Sequence, residues 1–399
     1  MIHMRLSSGD LEFLVGDLER LYQMPEVPAL PAFSEKAVAF LSQLSRMLLR
    51  DKRSGVDIKS YAYWIRRASL ETAARGGEYR NRLGRGVALH IAPSNVPVNF
   101  AVSMTSSLLA GNCTVVRVSS KPFPQVDIIC EAINQLLDGE CGDMRPYVCV
   151  LRCEHSPAIT RALSELCDVR VIWGGDRTIE TIRQAALPPR AVELAFADRY
   201  SLALIDADAY LERDAGEIAG KFYTDTYYTD QNACSSPRLV VWLGKAVREA
   251  REQFWETLER LARRDYPMKP IQAVDKYSAV CALSMSRPGV RHHIKSTFVV
   301  RAELERLTAD AMDYKCGGGC FFEYQAKDLK EIVPVLTKRC QTVAVLGVDL
   351  GAVRQLVFDS GVRGVDRIVP LGGTMELSFI WDGFKMVESM SRYVACKEK

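Results

Sequence analysis

Apolar side chains in the first part of the chain recur at helical spacing. Between Asp10 and Tyr22 they fall three and four residues apart, which predicts a helix there. A second helix is expected from Ser34, whose hydroxyl can cap its first turn, as far as Leu48. A short polar stretch between glycines follows, and we expect a β-hairpin within residues 75–86.

From Gly86 the pattern changes to short apolar runs that alternate with helical stretches. The apolar runs are predicted strands, and they comprise Val87–Ile91, Cys113–Val118, Tyr147–Leu151 and Val169–Trp173. Strand, crossover helix and strand in succession predict an α/β fold, a parallel sheet with helices on both faces. The alternation resumes after Tyr200, so we place a domain boundary near residue 200.

Composition excludes several classes of function. The chain has 399 residues and a net charge of +3, which gives no electrostatic footprint for nucleic acid. The long uncharged stretch 87–116 contains Pro93, Asn95 and Pro97, so we expect no membrane span. Twelve cysteines without a Cys-x-x-Cys pair, beside five histidines, disfavour a zinc site, and we expect no metal. No apolar signal core follows the N-terminus, and the many thiols favour a reducing, cytoplasmic location.

Three loops at predicted strand ends carry candidate binding groups. Asn95, in the turn from Pro93 to Pro97, offers an amide donor for an oxyanion; alternatively, it caps the following helix. Arg117, Ser119, Ser120 and Lys121 suit a phosphorylated ligand, although a solvated loop explains them too. Gly174 and Gly175 allow close approach of a pyrophosphate, or simply form a turn.

Cys234 differs in its setting from the other cysteines. It lies in the polar stretch Asp230–Pro237, between a Tyr- and Thr-rich helix and the predicted strand Arg238–Trp242. A structural thiol has little apolar surface to fill there, whereas an ionised thiol near backbone donors can act as a nucleophile. With twelve cysteines, a chance loop position is an equal alternative for this residue alone.

Taken in order, these segments resemble the aldehyde dehydrogenase superfamily. The Asn95 turn is similar to its Pro-x-Asn-x-Pro turn, and Gly174-Gly175 to its cofactor-loop Gly-Ser. Glu193, within Val192-Glu193-Leu194, resembles the glutamate of its Leu-Glu-Leu-Gly-Gly segment, and Gln231-Asn232-Ala233-Cys234 its Gly-Gln-x-Cys nucleophile. Within the superfamily, Asn232–Pro237 and the C-terminal Arg367–Gly383 resemble the long-chain fatty-acyl-CoA reductases of bacterial bioluminescence.

The resemblance implies an aldehyde dehydrogenase-like fold of two Rossmann-like parallel-sheet domains. We expect N-terminal helices and an NADP(H)-binding domain over residues 1–199 and a catalytic domain over 200–372. The segment 373–399 is the expected oligomerisation or closing element, together with the hairpin. The implied partners are an acyl-CoA or other acyl thioester, an acyl-protein ligase or acyltransferase, and a second copy in a homodimer or homotetramer.

The implied reaction is NADPH-dependent reduction of a fatty-acyl thioester to the aldehyde through an acylated Cys234. Asn95 would bind the oxyanion, and Pro93, Arg117 and the serine, lysine and glycine groups above would bind the cofactor. Ser120 and Lys121 replace the acid of the NAD-specific pattern, which favours a 2′-phosphate. Glu193 lacks the following glycines, so aldehyde oxidation with Glu193 as base is an alternative, as is a redox-silent acyl carrier.

Overall fold

The computed structural model describes residues 6, 7, 9–287, 289–315 and 317–396. Contacts divide the chain into two compact units, the first formed by residues 1–197 with 377–399 and the second by 198–376. The segment 377–399 therefore packs with the first unit, while its predicted role in oligomerisation stays a prediction. Within the described residues, no helix is both long enough and apolar enough to cross a membrane.

The first unit is built on a six-stranded sheet of order β1-β5-β4-β3-β6-β7. Its strands are parallel except β1, which pairs antiparallel with β5 at one edge. The strands before residue 198 are β1 Leu11–Val15, β2 Arg82–Gly84, β3 Val87–Ile91, β4 Cys113–Arg117, β5 Val148–Cys153, β6 Val169–Trp173 and β7 Val192–Phe196. The helices there are α1 Leu18–Gln23, α2 Glu35–Arg50, α3 Val56–Trp64, α4 Arg67–Arg75, α5 Asn99–Leu109, α6 Pro124–Asp138, α7 Pro157–Glu165 and α8 Asp176–Arg183.

The second unit is built on a seven-stranded sheet of order β10-β11-β12-β9-β8-β13-β14, parallel except for the β10–β11 pair. Its strands are β8 Tyr200–Asp206, β9 Pro237–Leu243, β10 Arg291–Ile294, β11 Val300–Glu303, β12 Cys320–Gln325, β13 Cys340–Leu346 and β14 Arg367–Pro370. Its helices are α9 Ala207–Leu211, α10 Ala215–Thr226, α11 Val247–Asp265, α12 Pro270–Ser286 and α13 Leu350–Ser360. The predicted α/β class with two parallel-sheet domains is confirmed.

The C-terminal segment returns to the first unit. It contains β15 Ile380–Trp381, β16 Phe384–Lys385, α14 Met386–Met390 and β17 Ser391–Tyr393. Helix α14 buries its apolar side chains in the first unit's core, and β17 pairs antiparallel with β2. The predicted hairpin within 75–86 is therefore wrong, because the partner of β2 comes from the far end of the chain rather than from the adjacent residues.

The predicted helix over residues 10–22 is wrong in its first part and forms only in its last part, as α1. Leu11–Val15 is a strand, and Gly16 with a φ of 85° separates it from the short helix α1. The edge of β5 supplies the hydrogen bonds that hold this segment extended, so tertiary pairing overrides its helical spacing. The second predicted helix forms as α2, and the Ser34 hydroxyl accepts the Ala37 N–H at its start.

Candidate active site

Cys234 lies on a short loop of the second unit between the end of α10 and β9. Its side chain is half-buried, in contrast to nearby Cys320, which is buried. The Ser201 hydroxyl on β8 donates to the Cys234 carbonyl oxygen at 2.7 Å, and the Ser236 N–H donates to the Ala233 carbonyl oxygen at 3.0 Å. The loop backbone is thus fixed on both sides of a half-buried cysteine.

Gln231 closes this loop at its base. Its buried side-chain amide donates to the carbonyl oxygen of Pro237 at 3.0 Å, on the other side of Cys234. The amide oxygen of Gln231 accepts the N–H groups of Gly319 and Cys320 at 3.0 and 3.2 Å. The sequence marked Gln231 only as part of a motif, whereas the structure shows it joining the loop to the start of β12.

A segment after β14 is held close to the same loop by a buried carboxylate that the sequence analysis missed. Asp225, on the buried face of α10, accepts the N–H groups of Gly372 at 2.6 Å and Thr374 at 3.1 Å. Burial raises the pKa of Asp225 to about 6, although these hydrogen bonds oppose the shift.

The segment that Asp225 holds contacts the nucleophile loop. The hydroxyl of Ser235, the residue after Cys234, lies 3.7 Å from the Met375 sulfur. The sequence contained one signal for this buried carboxylate. Asp225 falls at helical spacing from the apolar Ile218 and Phe222, which places its carboxylate on the buried face of the helix.

Asn95 lies in the turn between β3 and α5 in the first unit, and its side chain is exposed. The N-cap of α5 is Val98, which makes no side-chain capping bond. Because the helix begins at Asn99, the alternative that Asn95 caps it is wrong. Pro93 is half-buried in the same turn.

Arg117, at the carboxyl end of β4, is a buried cation without a carboxylate. Its side chain is 7% exposed, and Nη2 donates to Nδ1 of His155 at 2.9 Å and to the carbonyl oxygen of Glu154 at 3.5 Å. No Asp or Glu of the described chain forms an ion pair with it. A buried charge normally requires a counter-charge, so this arrangement suits an anionic ligand. His155, which follows the adjacent strand β5, was not anticipated from the sequence.

The remaining predicted cofactor residues lie in two loops of the first unit. The Ser119 hydroxyl accepts the Lys121 N–H at 3.2 Å, while Ser120 and Lys121 are exposed. Gly175 is the N-cap of α8, and because it has no side chain it supplies no capping group there. A Cβ at Gly174 would lie 3.0 Å from the Thr178 methyl group, which is tighter than ordinary packing allows.

Glu193 on β7 is committed to ion pairs. Its carboxylate lies 2.5 Å from Nη2 of the buried Arg170 and 2.6 Å from Nε of Arg183. Arg170 also donates to the carbonyl oxygen of Ala185 at 2.7 Å. Glu193 is thus part of a network of charges between the sheet and its helices, and its carboxylate already pairs with two cations.

The fold places the protein in a known structural class. It superimposes on an NAD-dependent benzaldehyde dehydrogenase from Corynebacterium glutamicum with a TM-score of 0.68 and 12% identity, over 98% of this chain and 95% of that one. PnpE in complex with nicotinamide adenine dinucleotide gives a TM-score of 0.67 at 14% identity, over 94% of this chain and 86% of that one. The architecture is therefore that of the aldehyde dehydrogenases.

Sequence comparison is more specific. The chain belongs to the acyl-CoA reductase (LuxC) family, which it matches over residues 16–393. It is 23% identical to the long-chain acyl-protein thioester reductase of Aliivibrio fischeri, over 86% of this chain and 71% of the relative. It is 21% identical to long-chain acyl-protein thioester reductase 2 of Photobacterium leiognathi, over 91% of this chain and 75% of the relative. Family membership classes the protein among oxidoreductases of acyl thioesters and confirms the resemblance seen in the sequence.

Proposed function

We propose that the protein reduces a long-chain acyl thioester to the aldehyde with NADPH, through a covalent acyl group on Cys234. The observation that carries the proposal is the placement of Cys234, a half-buried thiol on a loop whose backbone is fixed on both sides. A nucleophile held in one position avoids the entropic cost of finding its target. Membership of the acyl-CoA reductase family supports the same chemistry.

In this reaction the Cys234 thiolate attacks the thioester carbonyl. The Cys234 N–H and the Asn95 side-chain amide are the proposed oxyanion donors, and each such donor contributes roughly 3–4 kcal/mol. Departure of the substrate thiolate leaves an acyl group on Cys234. NADPH, when bound, supplies the hydride that reduces this acyl group. Collapse of the resulting thiohemiacetal anion breaks the C–S bond, which releases the aldehyde and returns the Cys234 thiolate.

The preference for NADPH is supported by the uncompensated charge of Arg117. A 2′-phosphate would supply the anion that this buried guanidinium lacks, with Ser119, Ser120 and Lys121 on the same loop. The second loop, Gly174-Gly175, is proposed to approach the pyrophosphate at the start of α8, and Pro93 to border the nicotinamide end. The first unit is then the cofactor domain and the second the catalytic domain.

The acyl donor is proposed to be an acyl-CoA or an acylated protein. The Aliivibrio and Photobacterium relatives are named for acyl-protein thioesters, which supports a protein donor and a ligase or acyltransferase partner that charges it. We further propose a cytoplasmic homodimer or homotetramer, in which the β2–β17 sheet and the C-terminal segment take part in assembly.

The ion pairs of Glu193 support reduction over the oxidative alternative. Activating a water for hydrolysis requires a carboxylate that faces that water, and both oxygens of the Glu193 carboxylate are already engaged by arginines. An acyl-enzyme that meets no activated water persists until hydride reaches it, as thioester reduction requires.

The test is NADPH absorbance decay with the purified protein and a series of acyl-CoAs, in the wild type and in Cys234→Ala. We expect consumption by the wild type and a loss of at least about 1,000-fold in the variant, because no other group replaces a covalent nucleophile. Cys281→Ala, which removes an exposed thiol on α12, is the matched control and is expected to keep full activity. Acylation of Cys234 without NADPH consumption would instead establish the redox-silent acyl carrier.

A further inference from the structure

The residues that lead into the nucleophile loop have an uncommon backbone. Asp230 and Gln231 are consecutive non-glycine residues in the left-handed region, with φ of 53° and 59°. Such conformations persist only where the surrounding structure holds them, and they cluster at functional sites. The pair ends three residues before Cys234, so the backbone direction it sets determines where the thiol lies.

Tyr266, the C-cap of α11, holds the first of these residues. Its hydroxyl lies 2.6 Å from Oδ1 of Asp230 and 2.8 Å from Nε2 of Gln272. The Gln272 amide oxygen accepts the Lys269 N–H at 2.7 Å, so its nitrogen faces Tyr266 and donates to the hydroxyl oxygen. The Tyr266 proton is therefore donated to Asp230. Burial raises the pKa of Tyr266, and the Asp230 carboxylate adds to the shift, so this proton stays in place.

A second contact fixes the backbone of the same residue. The Gly318 N–H donates to the Asp230 carbonyl oxygen at 2.9 Å, and Gly318 itself has a φ of 63°. A Cβ at Gly318 would lie 3.1 Å from the Tyr266 hydroxyl, so Gly318 and Tyr266 pack closely. Asp230 is thus held through its side chain by Tyr266 and through its main chain by Gly318.

We propose that Tyr266 and Asp230 are positioning residues for the nucleophile, their hydrogen bond holding the left-handed start of the loop so that the Cys234 thiol faces the acyl carbon. The inference rests on the proposed function, since it requires Cys234 to be acylated. Neither residue takes part in the chemistry, and both act through the backbone between Asp230 and Cys234.

The test is the acylation rate of Cys234 in Tyr266→Phe, measured with excess acyl-CoA and residue-specific peptide mass spectrometry. We expect a fall of about 10- to 100-fold in the acylation rate constant, because small displacements of a reacting group are costly. The KM for acyl-CoA should change less than about threefold, because the substrate contacts remain. Iodoacetamide needs no bound orientation, so it should label Cys234 and the exposed Cys396 of the same molecule at nearly unchanged rates.

Tyr324→Phe is the matched control. It removes another tyrosine hydroxyl of the second unit that donates to a carboxylate at 2.6 Å, here that of Glu331, away from the loop. The control shows what loss of a tyrosine–carboxylate hydrogen bond costs in thermal stability, and it should keep the wild-type acylation rate. Equal acylation rates in the two variants would overturn the proposal.

Variants of Asp230 test the same hydrogen bond from its other side. Asp230→Asn retains an acceptor and tolerates the left-handed backbone, so acylation should stay within about threefold of the wild type. Asp230→Gly adopts that backbone freely but has no acceptor, so it should lose as much as Tyr266→Phe. The double variant Asp230→Gly/Tyr266→Phe should be no slower than either single variant. Additive losses would overturn the proposal.

Cys234→Ala, assayed in parallel, separates this inference from the proposed function. Residual acyl labelling in Cys234→Ala would refute the nucleophile itself. Complete loss of labelling there, with normal rates in Tyr266→Phe and Asp230→Gly, would refute only the positioning role.

Discussion

The two units treat a buried charge in opposite ways. In the second unit, Glu323 on β12 is fully buried and completely compensated, by ion pairs with two arginines and by hydrogen bonds from two indole N–H groups; these partners are Arg251, Arg301, Trp242 and Trp255. In the first unit, Arg117 is nearly as buried, but its guanidinium contacts an imidazole and a carbonyl oxygen instead of a carboxylate.

The difference separates supporting structure from binding surface. A charge whose partners are all supplied by the protein stabilises the fold and has no capacity left for a ligand, whereas one without a counter-charge gains most from an anion that arrives. By this criterion Glu323 and Glu193 belong to the supporting structure. We expect Arg117, by contrast, to belong to a ligand site, and removing each charge in turn tests this difference.

The largest effect is expected at Glu323. Glu323→Gln removes the carboxylate that Arg251 and Arg301 share. Arg251 keeps a second ion pair, with Glu303. Loss of the shared counter-charge should lower the free energy of unfolding by about 3–5 kcal/mol. Urea denaturation followed by circular dichroism measures this loss. Glu256→Gln, at an exposed ion pair of α11, is the control and should change the free energy by less than about 1 kcal/mol. A variant as stable as the wild type would show that Glu323 does not support the fold.

A smaller loss is expected at Glu193. Glu193→Gln keeps the shape of the side chain but weakens its bonds to Arg170 and Arg183, which should cost about 2–3 kcal/mol of unfolding free energy. At a temperature where the variant is folded, its turnover with acyl-CoA and NADPH should stay within about threefold of the wild type. Lost turnover in a fully stable variant would instead identify Glu193 as a catalytic group.

At Arg117 the effect should appear in binding rather than in stability. Arg117→Met should weaken the binding of NADPH by about 10- to 100-fold, because it removes one or two charge-assisted hydrogen bonds. The free energy of unfolding should stay near that of the wild type. Fluorescence titration with NADPH and NADH measures the binding, and NADH should be affected less. Arg152→Met, on the neighbouring strand, removes an arginine that is paired with Glu12 and Asp127 and should leave NADPH affinity unchanged. Similar losses in both variants would contradict the comparison.

The sequence predicted the parallel sheets well, because their strands are short, apolar and bounded by clear turns. Val87–Ile91 and Val169–Trp173 form the predicted strands, and the helix predicted to start after Ser34 forms as α2. Where a segment depends on a distant partner, the pattern fails. Leu11–Val15 is extended because β5 pairs with it, and Arg82–Gly84 because β17 does.

Only those residues of the candidate site that belong to local sequence motifs could be predicted. The order of motifs led to Cys234, and Arg117 was identified because it ends a predicted strand. The groups that fix them come from elsewhere in the chain: Tyr266 for the nucleophile loop, Asp225 for the segment after β14, and His155 beside Arg117. Contacts between side chains that are distant along the chain have no characteristic spacing, so a single sequence does not reveal them.

The pairing of β2 with β17 has a consequence for synthesis on the ribosome. The first unit needs α14 and β17 to complete its core and small sheet, yet the whole second unit is translated before them. At about 5–20 residues per second, the ribosome needs roughly 10–40 s to pass from residue 197 to residue 377. Throughout that interval residues 82–84 lack their partner strand, so we expect the unit that begins first to be the one that finishes folding last.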